Sequence, residues 1–168
     1  LASAYCEYTN SESAKICGVQ PSDTALEQRD RRFLKLLTDL SFANVRFDLG
    51  DERILELHGN VQDDILSVGK VRYKTVILPD LKTIQSSTFH LLDRFIKNGG
   101  KVIILGNAPY MIDGFRKTVF DHTAPLLFVP NGDLPAITGL VKNQDYTVSC
   151  TDSPGILVRR KTEGNKSY

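Results

Sequence analysis

The sequence predicts an α/β fold: a three-layer, doubly wound, mostly parallel sheet with helices on both faces. The first observation is a pair of apolar, β-branched segments, residues 73–78 and 101–106, whose composition is typical of parallel strands covered on both sides. The second is an amphipathic helical segment between them, which completes a βαβ unit. The crossover in such a unit is right-handed, so we expect both strands in one sheet.

The helix of this unit has recognisable ends and one apolar face. Ser86 or Ser87 is the expected N-cap, and Gly99 with Gly100 supplies the backbone freedom that ends a helix. The apolar residues that recur on one face are Phe89, Leu92, Phe95 and Ile96. We therefore expect this helix to pack on the sheet.

The N-terminal part of the chain adds further strands and a helix to the predicted sheet. Residues 2–5 are predicted as a short strand, and residues 9–23 as a long polar loop. Residues 26–40 have apolar side chains at helical spacing, and the charge run at 29–32 is interpreted as the solvated side of that helix. Residues 44–49 alternate apolar and polar side chains and are predicted as the second strand.

A small β-hairpin is predicted as an insertion before the central strand. Residues 51–58 form a short helix or turn, and the hairpin pairs residues 65–68 with residues 71–73 around Gly69 and Lys70. Its second arm runs directly into the apolar segment that follows.

The C-terminal part predicts a change of architecture. Residues 115–122 are candidates for a helix, residues 126–129 for a short strand, and residues 134–141 for a last helix in which Pro135 occupies the first turn. The C-terminal strands are expected at 146–150 and 155–161, with a turn at 162–165. We therefore predict an α/β domain over residues 1–145 and the start of a β-sandwich domain over residues 146–168.

Composition and charge favour a globular domain and argue against two classes of partner. The 168 residues are 41% hydrophobic and 24% charged, which suits one domain with a sizeable core. The formal net charge is +1 without a concentrated basic face, so we predict no nucleic-acid partner and no membrane surface. The chain begins with Leu1, and we interpret it as a piece of a longer polypeptide. The sequence does not predict where that parent polypeptide is located; a periplasmic or secreted parent is one expectation.

No metal or cofactor site is predicted. The three cysteines, Cys6, Cys17 and Cys150, lack metal-ligand spacing and are interpreted as free thiols, with a Cys6–Cys17 pair that leaves one thiol as the alternative. The histidines, His58, His90 and His122, are dispersed along the sequence. The loop at residues 6–13 follows the first predicted strand, where FMN phosphate could bind, but it holds two glutamates and no glycine. The glycine motifs for dinucleotides and nucleoside triphosphates are absent as well.

The order of motifs resembles one known family. The segments Y-K-T-V-I-L-P, F-I-K-N-G-G-K-V-I-I-L-G and the following P…D-G are similar to the class I glutamine amidotransferase-like, flavodoxin-like domain embedded in multidomain glycoside hydrolases. The similarity covers residues 33–168 and is nearest to the α-L-rhamnosidase type, with the middle domain of some β-galactosidases more distant. This resemblance implies a domain that is not itself catalytic, in a parent that degrades carbohydrate.

The chain lacks the nucleophile that glutamine hydrolysis requires. An amidotransferase needs a cysteine on the tight turn after a strand, with a histidine to accept its proton. By strand order that turn is Gly106-Asn107-Ala108, which has no cysteine, and the G-x-S-x-G motif of hydrolases is also missing. We therefore predict no glutamine hydrolysis.

Carboxylates at strand ends are the remaining candidates for chemistry. Glycosidases use two carboxylates about 5 to 10 Å apart, and the candidates are Asp80, Asp113, Glu7 and Asp48. Aspartate is also common in loops and helix caps, which favours a structural role. The candidate ligand-binding residues, at the edge where open α/β sheets bind ligands, are Asp80, Asn107, Tyr110 and Asp113.

Two hypotheses of function follow. The first is a non-catalytic, architectural domain of a glycoside hydrolase, whose partners are other domains of the same polypeptide, with carbohydrate contact and homo-oligomerisation left open. The alternative is an independent small-molecule or carbohydrate-binding α/β module, or a hydrolase, that uses the cleft at the carboxyl ends of the strands. An exposed apolar face favours the first, and a concave polar pocket favours the second.

Overall fold

A parallel three-stranded sheet lies at the centre of the fold. The computed structural model of the chain describes residues 25–117, 120, 126–141, 162–163 and 166–167. Its sheet has the strand order β4 (Thr75–Leu78), β6 (Lys101–Leu105), β9 (Leu126–Val129), and both pairings are parallel. Both strands of the predicted βαβ unit are therefore confirmed, as is the general α/β class. The predicted strands at 2–5, 146–150 and 155–161, and the boundary at residue 145, lie outside the described residues.

Alternating side chains of the central strand β6 enter two different hydrophobic clusters. Val102 and Ile104 belong to the first cluster, and Ile103 and Leu105 belong to the second. Successive side chains of a strand point to opposite faces, so both faces of the sheet are covered. This double coverage explains why β6 reads as a continuous apolar run in the sequence.

Helices supply the apolar cover on each face. Helix α3 (Ser86–Lys97) connects β4 to β6 and contributes to the first cluster through Leu91, Leu92, Phe95 and Ile96. On the other face lie α1 (Ala25–Phe42), which contributes Leu40, and α4 (Leu134–Val141), which contributes Ile137. The predicted helices at 26–40 and 134–141 are confirmed.

The ends of α3 differ in part from the prediction. Its N-cap is Gln85 rather than Ser86 or Ser87, and the Gln85 side chain makes no capping hydrogen bond. Serine is not needed there because carboxylates from other segments bind the backbone N–H groups at this end. The C-terminal stop is as expected, since Gly99 has a φ of 89°.

An antiparallel three-stranded sheet precedes the parallel one. Helix α2 (Glu52–His58) leads into β1 (Gly59–Gln62), which pairs with β2 (Ile65–Val68), and β2 pairs with β3 (Val71–Tyr73). The predicted hairpin of β2 and β3 is confirmed, and β1 adds a third strand. The short helix at 51–58 is also confirmed, with Asp51 as its N-cap.

The strand predicted at residues 44–49 is not present. Asn44 has a φ of 56°, and the Val45 N–H donates to the Leu40 carbonyl, so the chain turns sharply as α1 ends. Residues 45–50 have no regular secondary structure. The alternation of apolar and polar side chains was the only basis for the prediction, and a strand also needs a backbone ladder, which none of the described residues provides.

A second small sheet replaces part of a predicted helix. Its order is β5 (Thr83–Ile84), β7 (Met111–Ile112), β8 (Phe115–Arg116), and β7 and β8 are antiparallel. The helix predicted at 115–122 is therefore wrong at its start. Asp113 and Gly114 have φ values of 51° and 83°, the conformation of a two-residue type I′ turn, which reverses the chain into a hairpin.

The last described residues form a short hairpin. Strands β10 (Thr162–Glu163) and β11 (Lys166–Ser167) are antiparallel, with Thr162 opposite Ser167. The turn predicted at 162–165 is wrong at its first two residues, because Thr162 and Glu163 pair with Ser167 and Lys166 as a strand. Residues 164–165 lie outside the described residues.

Candidate functional site at the carboxyl edge of the sheet

The parallel register places Asp80 and Asn107 at the same edge of the sheet. Leu78 of β4 is paired with Ile104 of β6. Asp80 follows β4 by two residues, and Asn107 follows β6 by two residues. The topology therefore brings these two predicted site residues to the carboxyl edge, where open α/β sheets bind ligands.

Asp80 is held by two arginines of α1. The Arg32 guanidinium donates to Oδ2 of Asp80 at 2.9 Å, and Nε of Arg29 lies 4.0 Å from the same oxygen. The Asp80 side chain is only 14% exposed, and that of Arg32 is 41% exposed. The carboxylate therefore ties the loop after β4 to α1, which is a structural role.

This ion pair corrects one interpretation of the sequence. The charge run at 29–32 was interpreted as the solvated side of α1, but Arg29 and Arg32 lie one helical turn apart and both reach Asp80. The spacing of three residues was a signal for a shared contact. The partner across the sheet edge could not be read from the sequence.

Asn107 lies on the tight turn that follows β6. Gly106 has a φ of 73°, and its N–H donates to the Val129 carbonyl of β9 at 2.9 Å. A Cβ at Gly106 would lie 2.4 Å from Nδ2 of Asn131, so this side chain packs over the turn. Asn131 was missed by sequence reasoning because it follows a different strand. Asn107 itself is exposed.

Tyr110 lies beside the β7–β8 hairpin and is exposed. The N–H groups of Tyr110 and Met111 both donate to the Lys82 carbonyl at 3.1 Å. The guanidinium carbon of Arg116 lies 5.4 Å from the centre of the Tyr110 ring, within the range of a cation–π contact. The ring therefore has one cationic neighbour and is 42% exposed.

Asp113 caps helix α3 from the turn between β7 and β8. Its Oδ1 accepts a hydrogen bond from the Ser86 N–H at 3.0 Å, and its own N–H donates to the Ile84 carbonyl at 3.0 Å. The Gly114 N–H donates to the Thr83 hydroxyl oxygen at 3.1 Å. A carboxylate at a helix N-terminus satisfies an unpaired N–H and interacts favourably with the helix dipole.

A second carboxylate supports the same end of α3. Oε1 of Glu52 in α2 accepts a hydrogen bond from the Gln85 N–H at 2.7 Å. Glu52 was not among the predicted site residues, because a glutamate in the first turn of a short helix is common. Together Glu52 and Asp113 explain how α3 starts without a serine cap.

The two predicted carboxylates contact different parts of the fold. Asp80 contacts α1, whereas Asp113 contacts α3, and these helices pack on opposite faces of the sheet. Each carboxylate already has a structural partner. The arrangement does not place them as a facing acid and base across a sugar site.

The other chemical candidates also occupy structural positions or lie elsewhere. Oδ2 of Asp48 accepts a hydrogen bond from the Tyr73 hydroxyl at 2.8 Å. Partial burial, then this hydrogen bond and the Asp48 charge, raise the pKa of Tyr73 above its ordinary value. Glu7 lies outside the described residues, as do all the cysteines and His122.

The two described histidines do not form a metal site. His58 ends α2 and His90 lies on the exposed side of α3, where its ring is 5.3 Å from that of Phe89. Within the part of the chain that the structure describes, no three His, Cys, Asp or Glu side chains are grouped as metal ligands. Among those same residues, no helix is long and apolar enough to cross a bilayer.

Comparisons with protein-family models, with curated proteins and with solved structures found no match for this chain.

Proposed function

We propose that this chain is a non-catalytic, architectural domain of a multidomain glycoside hydrolase, with a doubly wound, flavodoxin-like arrangement. The proposal rests on the sequence resemblance and is supported by how the strand-end carboxylates are used. Asp80 binds Arg32, and Asp113 caps α3, so both stabilise the fold. Catalytic carboxylates would then belong to another domain of the parent polypeptide.

The observation that favours docking is an exposed apolar surface around α2. The exposed fractions of Leu49, Ile54 and Leu57 are 63%, 51% and 58%. Ile54 and Leu57 are three residues apart, on neighbouring positions of the helix surface, while Leu55 packs against the first core cluster. We call Leu49, Ile54 and Leu57 the α2 surface. Large apolar side chains grouped at the surface are typical of an interface with another domain.

Helices α1 and α2 each carry a leucine that is 58% exposed, Leu34 and Leu57, so substitutions on the two helices can be compared as a test of docking. In the polypeptide that carries the domain, Ile54→Glu with Leu57→Glu should cost about 3 kcal/mol or more of unfolding free energy, because two large apolar side chains lose their burial. The chain by itself should tolerate the pair, since both side chains are already exposed. Leu34→Glu on α1 is the control, because Leu34 is also 58% exposed but lies outside the α2 surface.

Glycosidase activity of the chain by itself would oppose the architectural role. We expect no turnover of aryl α-L-rhamnosides or aryl β-galactosides. Turnover that is abolished by Asp80→Asn or Asp113→Asn would refute the architectural role and support the cleft at the carboxyl edge. A flanking coding sequence without a glycoside hydrolase domain would refute the proposed parent.

A further inference from the structure

The β7–β8 hairpin is a rigid element that displays unusually exposed aromatic and basic side chains. Its backbone is held by hydrogen bonds at both ends, from the Tyr110 and Met111 N–H groups to the Lys82 carbonyl and from the Gly114 N–H to the Thr83 hydroxyl. The Asp113 carboxylate anchors the turn to α3. A rigid backbone of this kind lowers the entropy lost on binding.

The side chains on this hairpin are of the types that dominate protein interfaces. Phe115 is 78% exposed, the largest exposed fraction among the large apolar side chains of the described residues. Arg116 contacts the Tyr110 ring, which keeps its guanidinium next to an aromatic surface. Tyrosine and arginine are enriched in interface hot spots, and an exposed phenylalanine supplies an apolar anchor.

The formal charge of residues 110–117 is +1, from Arg116 and Lys117 against Asp113. Asp113 is the one acidic residue between positions 110 and 117, and its carboxylate is engaged at the N-terminus of α3. The remaining charges are those of Arg116 and Lys117, both on exposed residues. A partner of complementary charge would therefore carry carboxylates, which the arginine fork can bind in a bidentate manner.

We propose that Tyr110 and the edge strand β8 with Lys117 form a docking surface for an acidic polypeptide segment, which contacts Phe115 and Lys117 on one face of the hairpin and Arg116 on the other. Carboxylates of the segment bind Arg116 and Lys117, and an apolar side chain of the segment covers Phe115. A single-stranded nucleic acid could also contact aromatic and basic groups, but the hairpin offers two cations and the whole chain has a net charge of +1. The inference does not depend on the proposed glycoside hydrolase parent.

An unbiased peptide selection tests the chemistry of the partner. A random dodecapeptide display library is selected on the wild-type chain, and the Asp and Glu content of the selected peptides is compared with that of the starting library. We expect an enrichment of at least about twofold, because each bound carboxylate pairs with a cation. Selected peptides of neutral or basic composition, or no selected peptides, would overturn the proposal.

Matched variants test the location of the surface. Binding of the best acidic peptide is measured by fluorescence anisotropy, and Phe115→Ala with Arg116→Glu should weaken it by about tenfold or more. Phe128→Ala with Arg53→Glu is the control, since Phe128 and Arg53 are exposed elsewhere, and it should change the affinity by less than about twofold. Equal weakening by both pairs would overturn the location.

Direct binding of an oligonucleotide distinguishes a peptide partner from a nucleic-acid partner. A labelled single-stranded oligonucleotide of mixed sequence is added to the wild-type chain in place of the peptide. Oligonucleotide binding as tight as that of the acidic peptide, and lost in the Phe115→Ala, Arg116→Glu variant, would overturn the acidic partner. Circular dichroism of each variant verifies that the fold is retained.

Discussion

Replacing Asp113 tests how the β7–β8 turn and helix α3 support each other. Asp113 has two separate functions in the structure: its carboxylate accepts the Ser86 N–H, and its backbone adopts a φ of 51°. Asparagine keeps an acceptor and tolerates this φ, glycine tolerates the φ without an acceptor, and alanine provides neither. The three substitutions therefore separate the cap from the backbone conformation.

The magnitudes follow from these two contributions. Loss of a helix cap costs about 1 kcal/mol, and a left-handed conformation costs an alanine roughly 1 to 2 kcal/mol. Asp113→Ala should therefore destabilise the chain by about 2 to 3 kcal/mol. Asp113→Gly should cost about 1 kcal/mol for the lost cap, and Asp113→Asn about 0.3 to 1 kcal/mol for the lost charge.

Urea unfolding followed by far-ultraviolet circular dichroism measures these differences. In thermal unfolding followed by the same signal, the melting temperature should fall by roughly 4 to 12 °C for Asp113→Ala, at about 2 to 4 °C per kcal/mol for a chain of this size. Asp63→Ala is the control, because Asp63 has a φ of 50° in the β1–β2 turn and caps none of the described helices. If Asp113→Ala were no less stable than Asp113→Asn, or cost no more than Asp63→Ala, the assigned capping role would be wrong.

Three further predictions concern packing, helix propensity and pH. Gly100→Ala should cost about 1 to 3 kcal/mol, because a Cβ there would lie 2.2 Å from Cε2 of Phe95; an unchanged urea midpoint would refute this packing. Gly139→Ala should instead stabilise α4 by about 0.4 to 1 kcal/mol, because a Cβ there meets nothing within 4 Å, and a lower melting temperature would contradict it. Because the folded pKa of Tyr73 is raised above 10.0, its contribution to stability is present below pH 10.0 and is lost as pH rises through the folded pKa. Any stability difference between the wild type and Tyr73→Phe should therefore shrink above pH 10.0, and Asp48→Asn should lower the Tyr73 pKa in an ultraviolet difference titration; an unchanged pKa would exclude the Asp48 contact.

The parts of the fold that were predicted correctly are those in which local sequence and burial agree. Strand β6 is apolar at four consecutive buried positions, and α3 has buried side chains at helical spacing, so each has a pattern that one structure satisfies. The turn at Gly69 between β2 and β3 was also recognisable, because glycine accommodates the φ of 59° found there.

The incorrect predictions lie where a local pattern competes with a longer-range contact. Phe115 and Arg116 were assigned to a helix, but the Asp113-Gly114 turn pairs them with β7. The D-G pair before them was a hairpin signal that the helical interpretation overlooked. Residues 44–49 alternated like a strand, yet their backbone has no ladder among the described residues.

The candidate site was predicted as a set of residues but not as a set of contacts. Strand order placed Asp80 and Asn107 at the carboxyl edge, and the register of β4 and β6 agrees. That Asp80 binds Arg32, and that Asp113 caps α3, depends on segments 48 and 27 positions apart in the sequence. No periodicity within one segment carries that information.

By itself, the sequence determined the α/β class, the βαβ unit around α3 and the lack of a cysteine at Gly106-Asn107-Ala108. These features follow from residue type and from the spacing of apolar side chains, which act over one turn or one strand. The tertiary structure alone decided that the carboxylates at the strand ends stabilise helices, and that Phe115 is left exposed on a rigid hairpin. The physical reason is that hydrogen bonds and exposure depend on which distant segments meet, and that is settled only when the chain packs.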